Sequence, residues 1–237
     1  MVSIYHCSLE LHDNLYFATR EIGRLYETEA VLHNYALCYA LGLVDNPRYG
    51  TQVDEPEYEY RYFCRHQVPK YKQHLSRLND VGIYVTPAIA LRHTSSLNTW
   101  KYADNRYHVE MTKTQKNIPS FGRAKEIAPE SQFVFFVISR ESIGLKFPHW
   151  IRLGKWMSKA RLSVDNMIVL KKENEDFLCQ HPLNPLDVMS SHRVQSFDTI
   201  NMPPVSLIQN VFCTGSVYLA SFNGRSIQLP AHMKFTF

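Results

Sequence analysis

The chain opens on alternation: Ile4, His6, Ser8 and Glu10 interleave with Tyr5, Cys7, Leu9 and Leu11. A two-residue period sends successive side chains to opposite faces, so this segment predicts a strand with one apolar face. Residues 13–28 are mixed and predict irregular structure. The period then changes. Leu32, Tyr35, Ala36, Tyr39 and Leu43 recur at three- and four-residue spacing, predicting a helix over 29–41 with Gly42 just past its end. Glu27 and Glu29 fall near the start of that helix, where its dipole favours acids. Asn46-Pro47-Arg48-Tyr49-Gly50 is a turn cluster, residues 54–57 form an acidic loop, and Tyr58, Tyr60 and Tyr62 alternate as a short strand.

A second helix is expected over 71–79. Strand pieces follow at 83–85 and 88–91, Pro87 confining one of them to an edge or bulge. Residues 93–131 are polar and basic with few apolar runs, the pattern of an excursion from a compact domain. Phe133–Ile138 is the strongest apolar run and predicts a central strand buried on both faces. Met167–Leu170, Val211–Cys213, Val217–Phe222 and Lys234–Phe237 predict further strands, with Asn223-Gly224 as a hairpin signal. The order strand, helix, strands, helix, strands fits one α+β domain over 1–237, a ferredoxin-like core with extensions.

Hydrophobic residues make up 45% of the 237, enough for a sizeable core, and no apolar run approaches the roughly 18 needed to cross a bilayer. The N-terminus lacks a positive segment and an apolar segment, so a soluble, cytoplasmic protein without membrane contact is expected. Cys7, Cys38, Cys64, Cys179 and Cys213 are scattered, with no Cys-x-x-Cys pair; neither a metal site nor a cofactor is expected. Charge is unevenly placed. Residues 1–60 carry three basic against ten acidic residues, net −7, and the remainder 23 against 12, net +11. That asymmetry predicts two faces with different partners, against the alternative of a dipolar but inert surface.

Two stretches could carry chemistry. In the first, Lys101, Arg106, Lys113, Lys116, Arg123 and Lys125 are interleaved with Trp100, Tyr102, Tyr107 and Phe121. Cations neutralise phosphates while flat rings stack on unpaired bases, so the mixture suits single-stranded nucleic acid. A solvated loop whose aromatics fold back is the alternative. In the second, a helix within 148–164 would place Arg152, Lys155 and Lys159 on one face beside Trp156, with Leu153, Met157 and Ala160 in another sector. Residues 144–172 hold seven basic residues, Arg161 among them, against Asp165 alone; surface lysines around a core tryptophan would give the same composition. Phosphate-loop, dinucleotide, zinc-protease and serine-hydrolase motifs are absent. A metal-independent ribonuclease needs only a base, an acid and a cation, which scattered His, Tyr and Lys could supply. A protein–protein adaptor is the other alternative.

Three groups of residues resemble the Cas-five-type subunit of type I-D CRISPR effectors. They are Tyr5–Asp13 with Phe17–Gly23 and His33–Leu37, then Phe121–Lys125 with Ile127–Pro129, then Trp150–Trp156. The resemblance implies an RRM-like (ferredoxin-like) domain of the RAMP superfamily. It also implies a long β-hairpin thumb, matched in position by 93–131, and a C-terminal β-rich extension over about 171–237. Such a subunit caps the repeat-derived 5′ handle of the guide RNA (crRNA) without catalysis. Its implied neighbours are the Cas-seven-type backbone subunit, the large subunit, and target double-stranded DNA near the protospacer-adjacent motif (PAM). Lys113, Lys116, Arg123 and Lys125 would contact handle or spacer; Arg152, Lys155, Trp156, Lys159 and Arg161 would face RNA, DNA or a protein neighbour.

Overall fold

The computed structural model describes residues 2–52, 69–101, 121–140 and 144–237. The opening alternation becomes β1 (Ser3–Leu11), at the middle of the larger sheet. β1 pairs antiparallel with β9 (Gln132–Ser139) on one side and with β11 (Ser158–Asn166) on the other. Beyond β9 lie β5 (Ile83–Val85) and β6 (Ala88–Arg92), which pair with successive stretches of β9, and β4 (Val31–Leu32) closes that edge. Between β5 and β6, Thr86 and Pro87 break the ladder as Pro87 foretells; Thr86 Oγ1 takes the Phe136 N–H instead. β10 (Trp150–Leu153) forms the opposite edge, beside β11.

A second sheet is built around β14 (Leu207–Phe222), a single 16-residue strand where two short ones are expected. β12 (Ile168–Cys179) runs along one side of it; β13 (Arg193–Ile200) and β15 (Arg225–Pro230) share the other. Asn223 and Gly224 take left-handed φ values of 48° and 75°, the conformation a two-residue hairpin with the right strand twist requires. A third sheet contains β2 (Arg20–Ile22), β3 (Leu25–Glu27), β8 (Phe121–Ile127) and β7 (Ser95–Lys101) in the order β2-β3-β8-β7.

Helices α1 (Asn34–Ala40) and α2 (Tyr71–Asp80) pack on one face of the larger sheet. The second sheet covers part of the other face. There Val31, Met202 and Leu207 meet Ile89 and Ile200, and Phe136 meets His181 at 4.8 Å between ring centroids. With cover on both sides, Phe133 to Ile138 are all buried, as the apolar run predicts. Cys7, Cys38, Cys179 and Cys213 are buried free thiols.

The chain is mostly β, so the balanced α+β reading gives too much weight to helix. Residues 13–19 are irregular, as expected, apart from a bridge at Leu15, but 20–27 are not: β2 and β3 form a small hairpin there, and Glu27 pairs with Arg20 and Lys125 rather than starting a helix. The first helix begins at Asn34, because Val31 and Leu32 complete the sheet edge and His33 caps the helix by accepting the Tyr35 N–H. Residues 234–237 form no strand; Phe235 docks on α2 through reciprocal bonds with the Asn79 side chain. The expected strand at 58–62 lies outside the described residues.

Candidate nucleic-acid interface

The helix expected within 148–164 is a β-hairpin. Each arm follows the strand period: Ile151 and Leu153 point inward and Trp150 and Arg152 outward, while Ala160 and Leu162 point inward and Lys159 and Arg161 outward. A turn at Gly154–Met157 joins them, with left-handed φ at Gly154 (74°) and Met157 (56°). A Cβ on Gly154 would lie 2.7 Å from the Tyr16 carbonyl oxygen, so only glycine fits. Leu153 and Ala160 reach the core; Met157 is exposed.

The hairpin turns four of the sequence-selected cations and one further ring toward solvent. Trp150 opposes Arg161, and Arg152 opposes Lys159. Lys159 Nζ stands 4.0 Å from the centroid of the Trp150 ring, and His12 meets the same ring edge-on at 4.9 Å. The ring is nevertheless 45% exposed. Arg161 binds Glu10 at 2.6 Å and Arg152 lies 3.9 Å from Asp13, both on the surface. Exposed ion pairs contribute about 0–1 kcal/mol, so a phosphate can displace either carboxylate at little cost. At the turn, Trp156 is 52% exposed and lies against Tyr16, centroids 4.6 Å apart, with Lys155 Nζ 5.9 Å from the Tyr16 ring.

The first basic stretch is partly visible. β7 and β8 form an antiparallel ladder from Ser95–Ile127 to Lys101–Phe121. Trp100, Lys101 and Phe121 are placed by their backbones at its far end. Tyr102, Arg106, Lys113 and Lys116 lie outside the described residues. Arg123 and Lys125 are exposed on β8, Lys125 binding Glu27 at 3.3 Å, while Gly122, Ala124 and Glu126 face inward.

One short segment joins the two stretches. Leu15 exchanges both backbone hydrogen bonds with Ile127 at the base of the β7–β8 ladder, and the next residue, Tyr16, accepts the Lys155 N–H at 2.9 Å. Sequence spacing picks out Lys155 and Trp156 but misses Trp150, Tyr16 and His12. The alternation at 150–153 is the signal that finds Trp150; the Tyr16 contact comes from about 140 residues away along the chain and leaves no local trace.

Among the described residues no cluster of three or more His, Cys, Asp or Glu could hold a metal ion. Among them, too, no helix is long and apolar enough to cross a membrane. One buried acid with a full set of donors is structural. Asp187, on α3 (Pro185–Met189), accepts from Tyr84 Oη at 2.9 Å, Asn34 Nδ2 at 3.0 Å and the Thr236 N–H at 3.0 Å. Burial outweighs these bonds and pushes its carboxyl up to about 7.

The family model described as "Type I-D CRISPR-associated protein Cas5/Csc1" matches residues 2–237. The chain belongs to that family and is a CRISPR effector subunit. No curated protein matches it. Among solved structures, it is similar to a CRISPR protein from Archaeoglobus fulgidus, at 11% identity and a TM-score of 0.46 over 98% of this chain and 100% of that one. It is also similar to a chain of the type III-B Cmr-beta complex bound to cognate target RNA and AMPPnP, at 11% identity and a TM-score of 0.42 over 94% and 86%.

Proposed function

We propose that the chain is a non-catalytic, cytoplasmic RNA-gripping subunit that caps the 5′ handle of the crRNA in a type I-D effector and helps position target DNA near the PAM. The observation that carries this is the open sheet edge, where Trp150, Arg152, Lys159 and Arg161 offer a flat ring among exchangeable cations. Residues 15–16 tie that edge to the β7–β8 ladder, the arm we read as the thumb. Guide pairing then supplies target specificity and this subunit supplies geometry and charge. The backbone and large subunits are its protein neighbours, and the acidic first 60 residues are a docking face for one of them. We read β1, α1–α2, β5–β6, β9 and β11 as a ferredoxin-like core, and β12 to β15 as the C-terminal extension.

The test is assembly on guide RNA. Replacing Lys113, Lys116, Arg123 and Lys125 together should abolish assembly, and unchanged assembly would remove the thumb assignment. Incubating the purified chain with repeat RNA and no metal should leave the RNA intact. Specific cleavage would make the chain a processing endoribonuclease instead.

A further inference from the structure

β10 is an end strand of the larger sheet: β11 pairs on one side, and no strand among the described residues lies on the other. The Leu162 N–H bonds the His149 carbonyl at 2.8 Å, and bonded and unbonded positions alternate along an antiparallel pair. Ile151 and Leu153 therefore turn their peptide groups toward β11. Trp150 and Arg152 turn theirs outward, where no backbone group among the described residues meets them. Pro148, the next outward position, has no N–H, which confines the open ladder to those two residues.

A groove of about 850 Å³ lies against β10 and takes in Trp150 to Gly154. Its apolar lining includes Ala36, Tyr39 and Ala40 of α1, Tyr71 of α2, and Phe147 and Met157 on either flank of β10 in the chain. All six keep part of their surface exposed. Its charged residues are Arg48, Lys146 and Arg152, each exposed, and no acid lines it among the described residues. The Tyr49 hydroxyl donates to the Lys146 carbonyl at 2.8 Å and accepts the Lys146 N–H at 3.2 Å, so the two stretches bearing Arg48 and Lys146 are held together.

We propose that this groove receives an extended acidic segment of another protein, added to β10 as one more strand. Main-chain hydrogen bonds to an open sheet edge supply affinity, and alternate side chains supply specificity. Each pair in the larger sheet is antiparallel, and the added strand follows suit. The residues bonded to Trp150 and Arg152 then carry side chains on the open face of the sheet, where an acid meets Arg152. Their neighbours enter the groove and are apolar, and flanking acids answer Arg48 and Lys146. Nucleic acid has no peptide ladder to offer this edge. The surface is separate from the RNA reading, because the side chains of Trp150 and Arg152 face the open sheet while their peptide groups face the groove.

The probe is a labelled eight-residue peptide alternating Glu and Val, titrated into the purified full chain; single-stranded RNA carrying the repeat-derived 5′ segment is titrated separately. The peptide should saturate with a Kd of about 1 mM or tighter, and its Lys–Val counterpart should not bind. Methylating every Glu backbone nitrogen should cost at least about tenfold, since each leaves a β10 carbonyl without its donor. Methylating every Val nitrogen instead should cost less than about twofold. Ala40→Trp, which fills the groove, and independently Arg48→Glu with Lys146→Glu, should each weaken the peptide at least about tenfold and leave RNA binding within about twofold. Circular dichroism checks that each variant folds. No saturable peptide binding, equal losses from the two methylations, or folded variants that bind the peptide as before overturns the proposal. Variants that lose RNA and keep the peptide assign the groove to nucleic acid. Peptide binding seen only after residues 53–68 are replaced by a Gly-Ser linker assigns it to that acidic stretch of the same chain, and self-association abolished by Ala40→Trp assigns it to a second copy; each of these outcomes likewise overturns the proposal. Failure of the RNA arm alone removes the functional reading and leaves this inference standing.

Discussion

One face of the larger sheet is used in two ways. Toward β6 and β4 it is roofed by the second sheet, and its residues are apolar or neutral: Val134, Phe136, Ile89, and His6, whose imidazole burial holds below its usual value. Toward β10 the same face is open and carries Trp150, Arg152, Lys159 and Arg161. The strands cross from one half to the other without a break, β1 lying between them. His6 stacks on Phe222 of the roof at 4.7 Å, while Glu10, four residues on and on the same face, binds Arg161 in the open. The backbone is therefore common to both halves, and side-chain chemistry sets which is core and which is a charged, open surface.

Breaking the roofed half should have the largest effect. Phe136→Ala removes a fully packed ring and should cost about 3–5 kcal/mol of stability, measured by urea unfolding. Trp150→Ala in the open half should cost under about 1 kcal/mol of stability yet weaken RNA binding by about 1–3 kcal/mol if a base stacks there. Equal losses of stability from the two would erase the contrast. Gly154→Ala should reduce stability by more than about 1 kcal/mol, because the left-handed φ and the Tyr16 carbonyl both oppose a side chain; a neutral result would mean the turn is not the fixed mount described.

The buried acid and the buried imidazoles also differ in how they titrate. Asp187 has its folded pKa raised to about 7 from an ordinary 3.8, so its protonated form stabilises the fold. That stability is complete below pH 3.8 and is lost as pH rises through 7. His33 and His181, both lowered to about 4, act in the opposite sense: their contribution is present above 6.5 and is lost as pH falls toward 4. Comparing Tm for wild type and Asp187→Asn isolates the first effect, since the histidines are common to both. The variant should gain relative to wild type between pH 3.8 and 7 and hold level above; a constant difference would contradict the assignment. The smallest effects should come from Lys159→Ala and Arg161→Ala. Each should change stability by no more than about 0.5 kcal/mol. Each should also reduce the salt slope of RNA binding by roughly 0.7 for every phosphate it no longer neutralises.

The strands with strong alternation or continuous apolar runs, β1 and β9, could be read directly, as could α2 and the Asn223-Gly224 hairpin. In each, a local signal agrees with the tertiary environment. β2 could not, because its three residues are all exposed and show no apolar face. At 152–159 the spacing of three cations imitates a helix. Four turn residues happen to separate two strands, and Ile151–Leu153 and Ala160–Leu162 keep the two-residue period that identifies them. The composition of the candidate interface was thus visible while its geometry was not: Trp150 is oriented by His12, Trp156 lies on Tyr16, and Asp187 meets Asn34 across 153 positions. Pairings of that separation leave no periodic mark.

The backbone link through Leu15 and Tyr16 has a mechanical consequence. A strand of RNA tugging on the β7–β8 arm would load a peptide unit whose neighbour holds the Lys155 amide, so strain at one grip is delivered to the other with almost no slack. Immobilising either end lowers the ordering entropy still to be lost at its counterpart, and the two grips should tighten together rather than one after the other.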